Sequence, residues 1–314
     1  MKRPALIASA LFMLFLLPSC ERGARIDLDA LPTELVVQAN FSNLDTLEVV
    51  VSKTRPSLSE EDIVYVSNGA IEVFVGDFFV DRLGFIPSPI PQFPGYYISS
   101  KVVPQPGEHF RMTLDVPGFK RVQAQSTMPY PVEIDTAFTN LLIEKEEVDV
   151  TNNMATITIG VKILDPASPG HFYHLNFYQQ GYDLYIEQDG DTLKTSFFSL
   201  PLVIEPEDDA IPLIPYIENR GVLFTEEALA GNQGELSFSG TFKYRREDQE
   251  LGDFIIELRS VSPEYYYYHR SLARQFQASH DPFSEPVILY TNVENGLGVF
   301  AGFVPRFYQV ETTH

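Results

Sequence analysis

The chain has 314 residues and a formal net charge of −21, a balance that excludes nucleic acid as an expected partner, because phosphate binding needs clustered lysine and arginine. Its one cysteine excludes an internal disulfide framework, so the stability of the fold must come from core burial. With 44% hydrophobic residues the chain can build such a core, and its length favours two domains of about 150 residues each.

The amino terminus has the three parts of a secretory signal. Lys2 and Arg3 precede an apolar stretch from Ala5 to Leu17, and the small Ser19 stands directly before Cys20. That stretch is too short to span a bilayer. It predicts a bacterial lipobox, in which the Cys20 thiol carries diacylglycerol and the new amino terminus carries an acyl chain such as palmitate. The alternatives are an ordinary signal peptide with a chance cysteine and a short membrane anchor.

The sequence predicts four consecutive segments. Residues 1–19 are the signal peptide, residues 20–30 a lipidated tether, residues 31–130 a first β domain and residues 131–314 a second one. The boundary between the domains is placed at Met128-Pro129-Tyr130-Pro131, where two prolines in four residues interrupt the strand pattern.

The first domain is dominated by alternation of apolar and polar residues between turn residues, which is typical of half-buried strands. The predicted strands are Leu35–Val37, Leu47–Val51, Ile71–Val75, Tyr96–Val103 and His109–Val116. Short strands at this spacing predict an immunoglobulin-like or transthyretin-like sandwich.

The second domain continues the strand pattern and predicts a second β-sandwich or a partial barrel. Gln180-Gly181 and Asp189-Gly190 are interpreted as hairpin turns. The predicted strands are Ala155–Leu164, His171–Gln179, Tyr182–Glu187, Glu235–Tyr244 and Phe254–Ser260.

Two helices are predicted in the second domain. A short one spans Thr225–Ala230. A longer one lies near 262–279, with Ser262 as its cap and Pro263 in its first position. Tyr265, Tyr268, Leu272 and Phe276 fall on one face of that helix at three- and four-residue spacing. Of the four consecutive tyrosines 265–268, two are expected in the core and two half-exposed, in preference to a role in stacking on carbohydrate.

The residues that usually carry chemistry form no convincing constellation, so no metal, no cofactor and no catalytic residue is predicted. His171 and His174 lie on a predicted strand, where odd spacing sends them to opposite faces. The glycines of 296–301 are followed by a strand and a proline rather than by the helix that a dinucleotide loop requires. The acidic clusters at 144–149 and 205–209 are interpreted as solvated turns, with adventitious calcium as the alternative.

Two apolar segments are the strongest candidates for an interface. Residues 85–94 hold four prolines and no charge, and residues 197–204 lead through an acidic break to a second apolar run at 211–217. Large exposed apolar loops usually mark an interface, although such loops also fold back over the ends of their own sheets. The candidate interface residues are Phe85, Ile86, Ile90, Phe93, Phe197, Phe198, Leu200, Leu202, Ile214 and Tyr216.

Several stretches resemble a family of Bacteroidetes lipoproteins catalogued as domain of unknown function 4249. The most specific are Leu258-Arg259-Ser260-Val261-Ser262 with the tyrosine-rich helix after it, residues 281–286, and residues 292–300; the opening strands and Ala124–Pro129 also match. Members of that family commonly occur beside TonB-dependent outer-membrane transporters, and the family carries no agreed catalytic residues.

Together with the lipobox, the resemblance implies a lipoprotein anchored in the outer membrane and exposed on the cell surface. The expected function is that of a non-enzymatic partner of a TonB-dependent β-barrel, for docking or for substrate capture. The alternatives are an accessory subunit of an outer-membrane assembly or secretion complex, and a surface hydrolase that uses carboxylates of the acidic clusters.

Overall fold

A computed structural model describes most of the chain beyond the predicted tether. The described residues are 32–55, 62–90, 93–149, 152–164, 170–187, 191–208, 210–216, 221–230, 233–245, 247–279, 284–285 and 287–310. The predicted signal peptide, Cys20 and the tether lie outside them, and the side chains of 143–149 and of Asn152 are not described either.

Strands form most of the described chain, so the predicted mainly β fold class is confirmed. The strands before residue 130 are β1 (Leu35–Ser42), β2 (Glu48–Lys53), β3 (Ala70–Val75), β4 (Phe78–Arg82), β5 (Gly84–Ile86), β6 (Tyr96–Ile98), β7 (His109–Asp115) and β8 (Val122–Thr127). The strands after it are β9 (Ile134–Asp149), β10 (Asn152–Ile163), β11 (Phe172–Ile186), β12 (Thr192–Pro201), β13 (Ile204–Pro206), β14 (Ile214–Tyr216), β15 (Gly221–Thr225), β16 (Glu235–Tyr244), β17 (Gln249–Val261), β18 (Val293–Glu294) and β19 (Leu297–Val310).

The two predicted helices are present, as a single turn α1 (Glu227–Ala230) and the longer α2 (Pro263–Ser279). Ser262 caps α2 as predicted, because its hydroxyl accepts a hydrogen bond of 3.3 Å from the Tyr265 backbone N–H. Pro263 occupies the first helical position, where a missing N–H costs nothing.

The strands form three sheets. The largest has ten strands in the order β14-β15-β11-β17-β19-β1-β2-β6-β5, with β12 also paired to β11. A four-stranded sheet has the order β13-β16-β10-β9, and a five-stranded sheet the order β18-β8-β7-β3-β4. Within the large sheet, β1 pairs in parallel with β19 and antiparallel with β2.

Two hydrophobic cores lie on the large sheet. One joins its β1, β2 and β19 to the five-stranded sheet, through side chains such as Val49, Phe110 and Phe300. The other joins its β11 and β17 to the four-stranded sheet, through side chains such as Phe177 and Phe238. Each half is therefore a sandwich, and in the second half it is the sandwich rather than the partial barrel that is observed.

Helix α2 covers the opposite face of the large sheet. Val222 and Phe224 belong to the core under the four-stranded sheet, whereas Leu223 between them belongs to a third cluster with Tyr265 and Tyr266 of α2. Because successive side chains of a strand point to opposite faces, the sheet is buried on both sides at this point.

One predicted turn is wrong. Gln180-Gly181 does not end a strand, because β11 runs from Phe172 through to Ile186 with a register shift between Gln179 and Gly181. The glycine is needed for close packing instead, since a Cβ there would collide with the Glu250 carbonyl and with the ring of Phe198. The second predicted turn, Asp189-Gly190, lies outside the described residues.

The predicted domain boundary at 130/131 stays a prediction. Met128 is buried in the first core and Val132 in the second. The large sheet takes strands from both sides of the boundary, since β19 from the second predicted domain stands beside β1 from the first.

Candidate functional site

The structure divides the ten candidate interface residues into three groups. Ile86, Ile90, Phe93 and Phe197 are exposed; Phe85, Phe198, Leu200 and Ile214 are half-buried; Leu202 and Tyr216 are buried. The prediction that Leu202 and Tyr216 belong to an interface is wrong. Leu202 packs in the second core, and Tyr216 packs under α2 in the third cluster, so neither side chain offers surface to a partner.

The exposed part of the first segment follows Ile86, the last residue of β5, and leads toward β6. Its described residues, 86–90 and 93–95, are called the apolar loop below. Ile86, Ile90 and Phe93 are 42%, 47% and 63% exposed. The Phe93 N–H donates to the Ile90 carbonyl at 3.0 Å, and the Ser88 hydroxyl donates to the same carbonyl at 2.9 Å. These bonds hold the described part of the loop in a turn with its apolar side chains outward.

The base of the apolar loop is anchored by Phe85. Its ring meets Tyr97 edge-on at 5.1 Å between centroids and lies close to Gly95. Tyr97 in turn donates its hydroxyl to the Val66 carbonyl at 3.0 Å. Strand β5 ends the order of the large sheet, so the loop projects from a sheet edge, where backbone groups are available for pairing with another chain.

The second predicted apolar loop is a strand. Residues 197–201 belong to β12, which pairs with β11 from Tyr178 to Ile186. The alternation of the strand separates its side chains: Phe197 faces outward against Tyr182, whereas Phe198 and Leu200 pack toward the second core. This segment is therefore a partly covered sheet edge rather than a free loop.

A cleft of about 280 Å³ opens where β12 meets the end of the four-stranded sheet. Its walls include Phe198, Leu200, Phe242, Tyr244 and Leu251. The guanidinium of Arg245 lies at the same end, where it is held by Asp183 at 3.0 Å and by Asp248 at 2.7 Å. Two carboxylates thus already balance the charge beside the cleft.

A buried polar network lies between α2 and the large sheet. Arg259 of β17 makes two parallel hydrogen bonds to Glu257, from Nε at 2.7 Å and from Nη2 at 2.9 Å. Its Nη1 donates to the Tyr265 hydroxyl at 3.2 Å, and Tyr178 donates to Glu257 at 2.9 Å. Buried ion pairs of this kind persist only when such additional bonds satisfy both partners.

Two histidines complete the network without carrying charge. Nδ1 of His174 lies 3.0 Å from the Tyr265 hydroxyl, and Nδ1 of His269 lies 3.0 Å from the Tyr216 hydroxyl. Burial lowers the pKa of His269 to about 3, with the nearby Arg259 charge adding to the effect. Burial, followed by the same Arg259 charge, also lowers the pKa of His174 well below its usual range.

The two histidines of the network are enclosed by the protein. His174 has no exposed surface, and the Nε2 atoms of His174 and His269 are buried without a hydrogen-bond partner in the structure. Burial, with the Glu257 charge adding to it, raises the pKa of the Tyr178 hydroxyl to about 12. Because His174 of β11 and Arg259 of β17 both bond to Tyr265 of α2, the network fixes the helix on the sheet.

The tyrosine run is more buried than predicted. Tyr265, Tyr266 and Tyr268 are buried and Tyr267 is 37% exposed, where two core and two half-exposed residues were expected. Tyr266 is covered by Phe172, whose ring centroid lies 4.8 Å from its own, and all three buried tyrosines belong to the third cluster. The expected opposite orientation of His171 and His174 agrees with their exposure, half-buried against buried.

The glycine-containing segment at 296–301 and the two acidic clusters were the other candidates for chemistry in the sequence. Asn295 has φ 59° just before the glycine-containing segment, and Gly298 of that segment lies in β19 rather than in a nucleotide loop. The side chains of the acidic cluster at 144–149, and Asp209 of the cluster at 205–209, lie outside the residues that the structure describes. Among the described residues, no three His, Cys, Asp or Glu side chains converge as a metal site would require.

Sequence reasoning missed three exposed phenylalanines. Phe78 and Phe79 follow a Gly76-Asp77 turn at the tip of the β3–β4 hairpin and are 79% and 56% exposed. Phe138 of β9 is 63% exposed. The alternation of the strand could have indicated that Phe138 is exposed. Ala137 and Leu141 on the same strand face the second core, so Phe138 points to the opposite face.

The comparisons with known proteins bear on the family and not on the site. The model of the domain of unknown function DUF4249 matches residues 22–306. The chain belongs to the DUF4249 family. The search of curated proteins gives no match. Among solved structures, the chain is similar to a chain described as "Biofilm associated protein - B domain", at 6% identity over 88% of this chain and 85% of that one. Its TM-score of 0.18 carries no argument about fold or function.

Proposed function

We propose that this DUF4249 protein is a lipid-anchored lipoprotein of the outer membrane that acts as a non-enzymatic partner of a TonB-dependent transporter. The single observation that carries the proposal is the apolar loop, which presents Ile86, Ile90 and Phe93 from a sheet edge. The lipobox ending at Cys20 supports the anchor. No helix of the described residues is long and apolar enough to cross a membrane.

The geometry of the loop supports a docking role. The prolines and the internal hydrogen bonds of its described residues restrain their conformation before a partner arrives, which lowers the entropy cost of ordering them on binding. The anchor adds to this by confining the protein and a membrane partner to the same surface, which raises their effective concentration. A small apolar contact is then sufficient for a stable association.

Affinity purification from native membranes tests the proposal. The tagged full-length protein should recover a β-barrel transporter in stoichiometric amount, and a change of Phe93→Asp together with Ile90→Asp should remove it. Ile288→Asp is the matched control, because Ile288 is 91% exposed outside the loop. Recovery of an assembly or secretion machine would favour the accessory-subunit alternative, and recovery of the protein alone would contradict docking.

A further inference from the structure

We infer that the outer face of the four-stranded sheet binds an uncharged glycan. The face, called the hydroxyl face below, is formed by the outward positions of β9, β10 and β16. Nine positions make its centre: Phe138, Asn140, Leu142, Thr156, Thr158, Gly160, Ser237, Ser239 and Thr241. This site goes beyond the proposed docking role and does not depend on it, since its nine central residues are all described and none of them belongs to the apolar loop.

Alternation with the second core fixes the outward direction of these side chains. Ile157 and Ile159 of β10 are fully buried in that core, as are Leu236 and Phe238 of β16. The residues between them must point the other way. Ser237 and Thr241 are accordingly exposed, and Thr156 and Thr158 are half-buried in the middle of the sheet.

The register places the hydroxyls opposite one another in rows. Thr156 pairs with Thr241 and Thr158 pairs with Ser239 across β10 and β16, while Asn140 stands opposite Thr158 on the other side. Neighbouring strands lie about 4.8 Å apart, so these donors and acceptors form a two-dimensional array. Within the described part of the chain, no other side chain engages the threonine and serine hydroxyls of the face, which leaves them available to a ligand.

Phe138 supplies a flat apolar platform beside this array. It pairs with Gly160 across β9 and β10, and a Cβ on Gly160 would collide with its ring. The ring therefore lies across the glycine backbone, while 63% of the residue stays exposed. An aromatic face carries partial negative charge and attracts the C–H bonds of a sugar ring, and the neighbouring hydroxyls can exchange hydrogen bonds with its hydroxyl groups.

The charge of the face selects the class of glycan. No Asp, Glu, Lys or Arg occupies the nine central positions, although 21% of the chain is charged. Charges stand around these nine positions. Lys162 lies 3.9 Å from both Asp135 and Glu235, the exposed Glu205 of β13 stands opposite Ser239, and the exposed Lys243 follows Thr241 on β16. A neutral ligand loses no ion hydration at the nine central positions. An acidic polysaccharide would meet no positive charge at those nine positions and would be repelled by a protein of net charge −21.

Binding of neutral polysaccharides to the full-length protein in detergent tests the inference. The probes are glycogen, laminarin and a yeast mannan, each immobilised in a native gel, with polygalacturonate as the acidic comparison. We expect at least one neutral polysaccharide to retard the protein and polygalacturonate not to do so. Retardation by none of the three, or by polygalacturonate alone, would overturn the inference.

Variants of the face locate the site. Phe138→Ala should weaken binding at least tenfold, and Thr158→Val, which keeps the shape of the side chain and removes its hydroxyl, should weaken it severalfold. Phe307→Ala is the matched control, because Phe307 of β19 is also exposed, at 58%. The melting temperature of each variant shows that it is folded. If a folded Phe138→Ala variant bound as tightly as the wild type, Phe138 would merely cover Gly160, as aromatic residues do over glycine in sheets.

The absence of tryptophan from the sequence provides a second measurement. Phe138→Trp introduces one fluorophore into the platform, and its emission should shift when the bound polysaccharide covers it. An emission spectrum unchanged at saturating polysaccharide would place the ligand elsewhere and contradict the proposed site.

Discussion

His174 of β11 and His269 of α2 are buried between the helix and the large sheet as neutral side chains, and this gives the protein a pH dependence of stability. A histidine of the unfolded chain titrates at about 6.5, whereas in the folded protein the pKa of His269 is about 3 and that of His174 is well below its usual range. The unfolded chain therefore binds more protons over this interval. The contribution to stability is complete above pH 6.5 and is lost as the pH falls.

We expect the free energy of unfolding to fall by up to about 1.4 kcal/mol per pH unit for each of these histidines below pH 6. Urea denaturation between pH 7.5 and 4.5 measures the slope. His269→Gln should make the slope shallower by about that amount, whatever it does to the stability at pH 7.5. His109→Gln, at an exposed position, is the control. Equal slopes in the wild type and His269→Gln would show that His269 is not held neutral by burial.

At the scale of the element, β19 depends on one glycine. Gly298 pairs with Val37 of β1 and has φ +107°, a conformation that other residues adopt only with strain. A Cβ at this position would also collide with the Val37 carbonyl. We expect Gly298→Ala to lower the free energy of unfolding by at least about 2 kcal/mol, because strain and overpacking add.

Denaturation of the purified protein measures this effect. Gly84→Ala is the matched control, since Gly84 also lies in a strand but has nothing within 4 Å of the added Cβ. A loss of stability similar in both variants would mean that β1 and β19 do not pack as closely as described.

Local patterning predicted the strands and helices well and their lengths and partners less well. The alternation around Val49 and Ile157 and the cap at Ser262 depend on near neighbours in sequence, so they could be predicted. The continuity of β11 through Gln180-Gly181 depends on Phe198 and Glu250 packing over that glycine, which no local pattern contains. The same limit explains why Phe198 and Leu200, predicted in a free loop, lie in β12.

In the candidate site, too, some features could be predicted from the local sequence and others depend on contacts between distant residues. Apolar residues without charge predicted the exposed apolar loop at Ile90 and Phe93, because proline prevents that segment from continuing as a strand. Tyr216 also lies in an uncharged apolar run, residues 211–217, that contains prolines. Its side chain is nevertheless buried, and its hydroxyl lies within hydrogen-bonding distance of His269 in α2. The hydroxyl face was not predicted, because it emerges only when three strands are placed in register.

At the scale of the whole molecule, the proposed anchor makes a direct prediction. Cys20→Ala removes the thiol that would carry diacylglycerol, so we expect the protein to leave the membrane fraction and remain soluble after a carbonate wash. Metabolic labelling with palmitate should mark the wild type and not the variant. Retention of the unlabelled variant on washed membranes would contradict lipid anchoring. A change at the neighbouring Glu21 to Gln is the control and should leave the protein on the membrane.

The predicted domain boundary can also be tested. Residues 31–130 expressed alone would lack β19 and β18, which stand beside β1 and β8, and the first core would lose Phe300 and Val304. We expect this fragment to show no cooperative unfolding by circular dichroism, because its sheet and its core are both incomplete. Cooperative unfolding of the fragment would establish residues 31–130 as a domain that folds independently.

The parallel pairing of β1 with β19 also constrains the order of folding. The two strands are separated by about 260 residues of chain, so this contact has a large loop-closure cost and forms slowly. During synthesis, β1 emerges long before the strand that it needs. The large sheet is therefore complete only when β19 is available. Until then the chain keeps an unfinished sheet, which suits the export that we propose for this protein.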